Sequence, residues 1–167
     1  QLFADNGLMA VVVDAPSDRQ RAPFLNGFRQ TEEHAADLKA TIAWARATAK
    51  VPVWLVGTSR GTQSAAYAAT VLQGADAPDG VVLTATILSD DKQRPVPAMP
   101  LEQIKVPVLV VHHQQDGCSY CAYSEIPNLM AKLTHTPRSH LITATGGKSQ
   151  GDACAAFAHH GFNGLEA

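Results

Sequence analysis

Five consecutive residues, Gly57-Thr58-Ser59-Arg60-Gly61, carry the strongest chemical signal in the sequence. They follow an apolar run ending at Val56 and precede an alanine-rich stretch. A serine on a sharp strand-to-helix turn presents its hydroxyl as a nucleophile. Flanking glycines let the backbone approach its neighbours, and both are expected to be needed for space. The helix amino terminus beneath the serine favours a developing oxyanion, and the amide of Arg60, the next residue, is placed to donate to it. Such a serine needs a base, and the base an orienting acid.

On a turn of this kind the acid follows the serine in the chain and the histidine follows the acid. Asp116, in His112-His113-Gln114-Gln115-Asp116-Gly117-Cys118, lies just past a strong strand candidate, two strands beyond the serine. Asp90 and Asp91 are rival acids, and a turn aspartate before glycine is the ordinary alternative. Two late histidines compete as base, and His160 is preferred to His159 because Gly161 beside it permits a tight loop. His112 and His113 precede the acid and read as structural or substrate-facing, while His34 and His135 read as solvated.

Elements that would hold these residues alternate along the chain. Strands are expected at Leu8 to Asp14, Val51 to Gly57, Gly80 to Leu88, Ile104 to His113 and, more weakly, Ser139 to Ala144. Continuous apolar runs of this length fit strands buried on both faces. Thr31 caps an expected helix whose first turn holds Glu32 and Glu33, with Leu38, Ile42, Ala45 and Ala49 as its apolar stripe and Lys50 at its end. Further helices are expected from Ser59 to about Leu72, within Ser119 to Leu133, and around Asp152 to Ala158. The order predicts one α/β domain over residues 1–167, a mainly parallel sheet of about five strands with helices on both faces. Chemistry is then expected at the carboxyl ends of the strands.

In these features the chain resembles an α/β-hydrolase of the bacterial serine-esterase type. The likeness rests on the Ser59 pentapeptide, on Val110 to Asp116, on His160-Gly161-Phe162, and on Asp14-Ala15-Pro16-Ser17-Asp18, which resembles the loop after the family's fourth strand. It implies hydrolysis of a small-molecule carboxylic ester without metal or organic cofactor. The alternatives are a non-catalytic binding or scaffolding member of the fold, or an acyltransferase. No bulky lid insertion is visible, which favours a small, accessible ester. Tyr120, Tyr123 and Met99 are candidate pocket liners. The proline-rich stretch Gln93 to Pro100 reads equally as a cleft wall or a surface connection.

The beginning of the chain departs from the family pattern. Gln1 to Gly7 reads as the end of a helix leading into a strand, and no His-Gly-Gly-like loop precedes the serine to give a second oxyanion donor. In the family that loop follows a strand lying between those represented here by Leu8 to Asp14 and Val51 to Gly57. The expectation is a carboxyl-terminal part of a longer hydrolase, completed by a preceding segment or a second chain.

Of three cysteines, Cys118 lies two residues past the candidate acid and Cys154 six before the candidate base. If Asp116 meets His160, a Cys118–Cys154 disulfide would tie the two loops together and leave Cys121 as the odd thiol. Three reduced cysteines, or a redox or metal pair in Cys118-x-x-Cys121, are the alternatives. A disulfide would place the protein in a periplasm or outside the cell, and reduced thiols in the cytoplasm. With 13 basic and 15 acidic side chains and no basic cluster, a nucleic-acid partner is disfavoured. No apolar run reaches the length of a membrane span.

Overall fold

Four of the five apolar runs become strands: β1 (Trp54–Thr58), β2 (Gly80–Thr84), β3 (Val108–His113) and β4 (Ser139–Ala144). This is a computed structural model, and it describes residues 2–165. The strands pair in chain order, β1-β2-β3-β4, and every pair is parallel. Parallel neighbours require a crossover between them. Helix α3 (Gly61–Val71) crosses from β1 to β2, and helix α4 (Ile126–Lys132) from β3 to β4. A short first helix, α1 (Leu2–Asp5), and the long α2 (Glu32–Ala49) precede β1.

The helix signals act as the residue types dictate. Thr31 Oγ1 accepts from the His34 amide at 3.3 Å and caps α2. Lys50 takes a left-handed conformation (φ 56°) and returns its amide to the Arg46 carbonyl, ending the helix. On α3, Ala65, Ala66, Ala68 and Ala69 are all buried, and their small side chains let the helix lie close on the sheet. The core under α3 and α4 joins Val81, Leu83, Val108 and Val110 with Ile126, Leu129, Leu101 and Ile104. Each such side chain contributes about 1.5–3 kcal/mol on removal from water. Helix α2 packs through Ala35, Leu38 and Ile42 on Ala68, Leu72, Val53 and Leu55.

Helices α2, α3 and α4 therefore form a layer over one face of the sheet. On the opposite face Trp54, Val56 and Ile142 keep 46%, 51% and 46% of their surface exposed. Among the described residues no helix is long and apolar enough to cross a membrane.

Two expected elements do not form. Leu8 to Asp14 pairs with no strand, and its side chains point into open space, with Val12 93% exposed. A strand exists only through a partner for its amides and carbonyls. Among the described residues the sheet stops at β1, so the sheet has four strands rather than about five. Asp152 to Ala158 forms turns instead of a helix. There the Asp152 carboxylate takes the amide of Cys154 at 2.7 Å, a local bond that competes with helical hydrogen bonding. A short 3-10 turn follows at His159–Gly161.

Candidate active site

Ser59 follows β1 directly and has φ +50°, a backbone conformation that costs a non-glycine residue about 1 kcal/mol or more. The turn is held from both sides. The Ser59 amide donates to the Thr84 carbonyl at 3.0 Å, at the end of β2. The Ser59 carbonyl accepts from the Thr62 amide at 2.9 Å and from Thr62 Oγ1 at 2.6 Å. Thr62 Oγ1 in turn accepts from the Ile87 amide at 3.2 Å. A Cβ on Gly57 would lie 2.5 Å from the Gly61 carbonyl oxygen, so this position must be glycine. Gly61 differs from expectation: a Cβ there would meet open space, so this position does not need glycine for room.

Asp116 and His160 come together at the same carboxyl edge. His160 Nδ1 donates to Asp116 Oδ2 at 2.9 Å across 44 residues of sequence. Asp116 Oδ1 accepts from the Cys118 amide at 2.9 Å, and its carboxylate is fully buried. His160 Nε2 is buried and without a hydrogen-bond partner among the described residues. No hydrogen bond joins it to Ser59 in this arrangement. Gly161 serves the loop as its residue type suggests, since a Cβ there would overlap the Ala156 carbonyl.

The rival residues are otherwise engaged. Asp90 accepts from the Arg60 guanidinium and from the amides of Lys92 and Gln93. His159 places Nδ1 3.2 Å from the Gln115 carbonyl and stacks on His113, with ring centroids 4.3 Å apart. Tyr120 lies under the Arg60 guanidinium, 4.8 Å from its ring centroid, next to the serine turn. Tyr123 instead bonds Thr143 through its hydroxyl at 2.7 Å. Met99 does not line a pocket. It is 3% exposed and packed in the core, carried inward with Val96 because the Val96 amide bonds the Ile87 carbonyl. The proline-rich stretch is thus anchored through its apolar residues, while Gln93 and Arg94 face the loop before α2.

His112 supports the acid loop, a role its place at a strand end left open. Its Nε2 donates to the Cys121 carbonyl at 2.7 Å and lies 3.8 Å from Asp116 Oδ2. Its Nδ1 accepts from the Thr86 amide at 3.3 Å, which fixes a neutral tautomer. Burial lowers its proton affinity below the ordinary histidine value, outweighing the nearby Asp116 charge. His34, buried rather than solvated, is lowered in the same direction by burial first and the Arg29 charge second.

These two shifts set a pH dependence of stability. A histidine whose folded affinity is depressed leaves the unfolded chain to bind the extra proton. Stability is then full above the unfolded value near 6.5 and falls as pH drops below it. Thermal unfolding midpoints are therefore expected to decrease between about pH 7.5 and 5.5, a window that straddles the free histidine value. A flat midpoint over that window would contradict neutral, buried His34 and His112.

Cys118 and Cys154 form a disulfide, with Cα atoms 4.6 Å apart. Cys121 is buried and free, its thiol donating to the Ala85 carbonyl at 3.4 Å. Burial and the Asp116 charge push that thiol up to about 12, so it is inert at neutral pH. Donor atoms of Cys118, Cys121 and His160 lie within 4.8 Å of one another. The Cys118 sulfur is held in the disulfide, so this group offers no thiolate pair for a metal.

No family model matches the chain, and no curated protein is significantly similar to it. Solved structures do match. A cold-adapted esterase from an Arctic intertidal metagenomic library, bound to polyethylene glycol, superposes with a TM-score of 0.54 at 18% identity, covering 76% of this chain and 53% of the esterase. The fold is esterase-like. A zinc-bound structure of a cold-adapted esterase from the same kind of library gives a TM-score of 0.54 and 18% identity, covering 77% of this chain and 56% of that one. The chain spans about half the length of these neighbours.

Proposed function

We propose that this chain carries the catalytic residues of a serine hydrolase acting on carboxylic esters. The observation that supports this best is the 2.9 Å contact from His160 to Asp116. It is made 44 residues apart in sequence, at the edge where Ser59 is held at φ +50°. In this reading Ser59 Oγ attacks the ester carbonyl and His160 Nε2 takes its proton. Asp116 holds the imidazole by Nδ1 and stabilises its charged form. The alcohol leaves with the proton from His160, and water then releases the acid by the same route. The Arg60 amide supplies one donor to the oxyanion. The structural neighbours are themselves esterases, which supports this reading. With the disulfide beside the acid, an oxidising compartment fits best.

The missing hydrogen bond between Ser59 and His160 favours one competing reading, a non-catalytic member of the fold. A fluorophosphonate probe separates the two. Rapid labelling mapped by peptide mass to Ser59, with hydrolysis of short para-nitrophenyl esters, is the expected result. Labelling no faster than that of a surface serine would refute the catalytic reading. Product analysis with added alcohol acceptors distinguishes hydrolysis from acyl transfer.

A further inference from the structure

Arg29 lies in the segment leading into α2, half-buried, with Nη1 donating to Ser64 Oγ at 3.2 Å. Ser64 is in the first turn of α3, the helix that begins two residues after Ser59. The segment is pinned from its other side. Gln30 Nε2 donates to the Arg94 carbonyl at 2.8 Å, and Arg94 Nε donates back to Gln30 Oε1 at 2.7 Å. The Gly27 amide reaches Gln93 Oε1 at 3.4 Å. Arg29 is therefore set in place before any ligand arrives.

Among the described residues no carboxylate forms an ion pair with Arg29. Asp90, on the facing segment, is already engaged by Arg60. Burial, and then the charge of Arg60, both disfavour the protonated form of Arg29. Arg60 thus has a carboxylate partner in Asp90, while Arg29, held against Ser64 of the helix that follows the serine turn, has none among the described residues. Partial burial of an uncompensated cation is unfavourable unless an anion meets it. A guanidinium presents paired N–H donors that match a carboxylate.

We propose that Arg29 anchors a carboxylate on the substrate, so that the ester cleaved is a half-ester of a short dicarboxylic acid or an ester of similar charge. The proposal rests on the reading of Ser59 as nucleophile. Arg29 is a specificity-determining residue in it and takes no part in bond making.

The test compares para-nitrophenyl butyrate with para-nitrophenyl hemisuccinate, a neutral and an anionic ester. The wild-type protein is expected to favour the anionic ester in kcat/KM, with a preference that weakens as salt rises. In Arg29→Gln the ratio of anionic to neutral kcat/KM is expected to fall roughly tenfold or more, mostly through KM. Arg29→Lys keeps the charge but loses the paired donors, and should give an intermediate ratio. Circular dichroism establishes that each variant is folded, and Arg29→Lys decides if Arg29→Gln is not. A ratio unchanged by substitution, or no preference in the wild type, overturns the proposal. Should no ester be hydrolysed and Ser59 resist the fluorophosphonate, the functional reading fails by itself. Calorimetric binding of succinate then tests the anchor directly: binding lost in Arg29→Gln supports it, and no binding, or equal binding by both proteins, overturns it.

Discussion

Ser59→Ala is expected to reduce ester turnover by roughly four to six orders of magnitude, the usual loss when a triad nucleophile is removed. The folded state should barely change. Among the described residues no hydrogen bond to Ser59 Oγ is present, so the substitution orphans no partner. Alanine also accepts the φ of +50° at about the same cost as serine. Ser59→Gly sharpens the comparison, because glycine adopts that conformation freely. It should be as inactive as Ser59→Ala and more stable by about 1 kcal/mol. Initial rates on a short para-nitrophenyl ester, with thermal unfolding of all three proteins, measure both effects. Undiminished turnover in Ser59→Ala would remove Ser59 from the chemistry. A glycine variant less stable than the alanine variant would show that the turn is not strained.

Breaking the Cys118–Cys154 disulfide is expected to cost both stability and activity. Its two cysteines are 36 residues apart, and cross-linking a loop of that size stabilises by about 3–4 kcal/mol in the chain-entropy model. Its position matters beyond that. Cys118 donates its amide to Asp116, and Cys154 opens the irregular segment that delivers His160. Residues 145–165 contain no strand and no helix longer than the 3-10 turn His159–Gly161, so secondary structure does little to hold the imidazole. Cys154→Ala should lower the denaturant midpoint, and turnover should fall because His160 samples positions away from Asp116. The comparison is made on oxidised and fully reduced wild type alongside the variant. Equal midpoints in the two redox states, with equal activity, would show that the disulfide supports neither the fold nor the site.

The parts of the fold that could be read in advance have local causes. Glycines around Ser59, Thr31 before Glu32 and the β-branched runs each fix their own neighbourhood. Ser139 to Ala144, the weakest strand reading, forms over the stated range because β3 is there to pair with it. Leu8 to Asp14 looked stronger and failed, because its composition says nothing about a partner. That Asp116 and His160 would meet was legible from chain order. The preference of His160 over His159 turned on one glycine, and His159 is occupied by contacts to Gln115 and His113. Met99 was misplaced for a similar reason: nothing local shows that Val96 would bond the Ile87 backbone and draw its segment inward. Arg29 carried no sequence signal at all. Its interest lies in the ion pair it lacks among the described residues, which becomes visible only once the chain is folded.

The bare side of the sheet bears on how the molecule behaves in a tube. Trp54 and Val56 stand on β1, the outermost strand among the described residues, and Ile142 lies across the sheet on the same side. Sulfate and phosphate salts strengthen contacts between such surfaces. This protein should therefore salt out early, adhere to interfaces, and keep better in a mild non-ionic amphiphile than in simple buffer. Its shelf life would be set by that face, well apart from the strand ends where Asp116 meets His160.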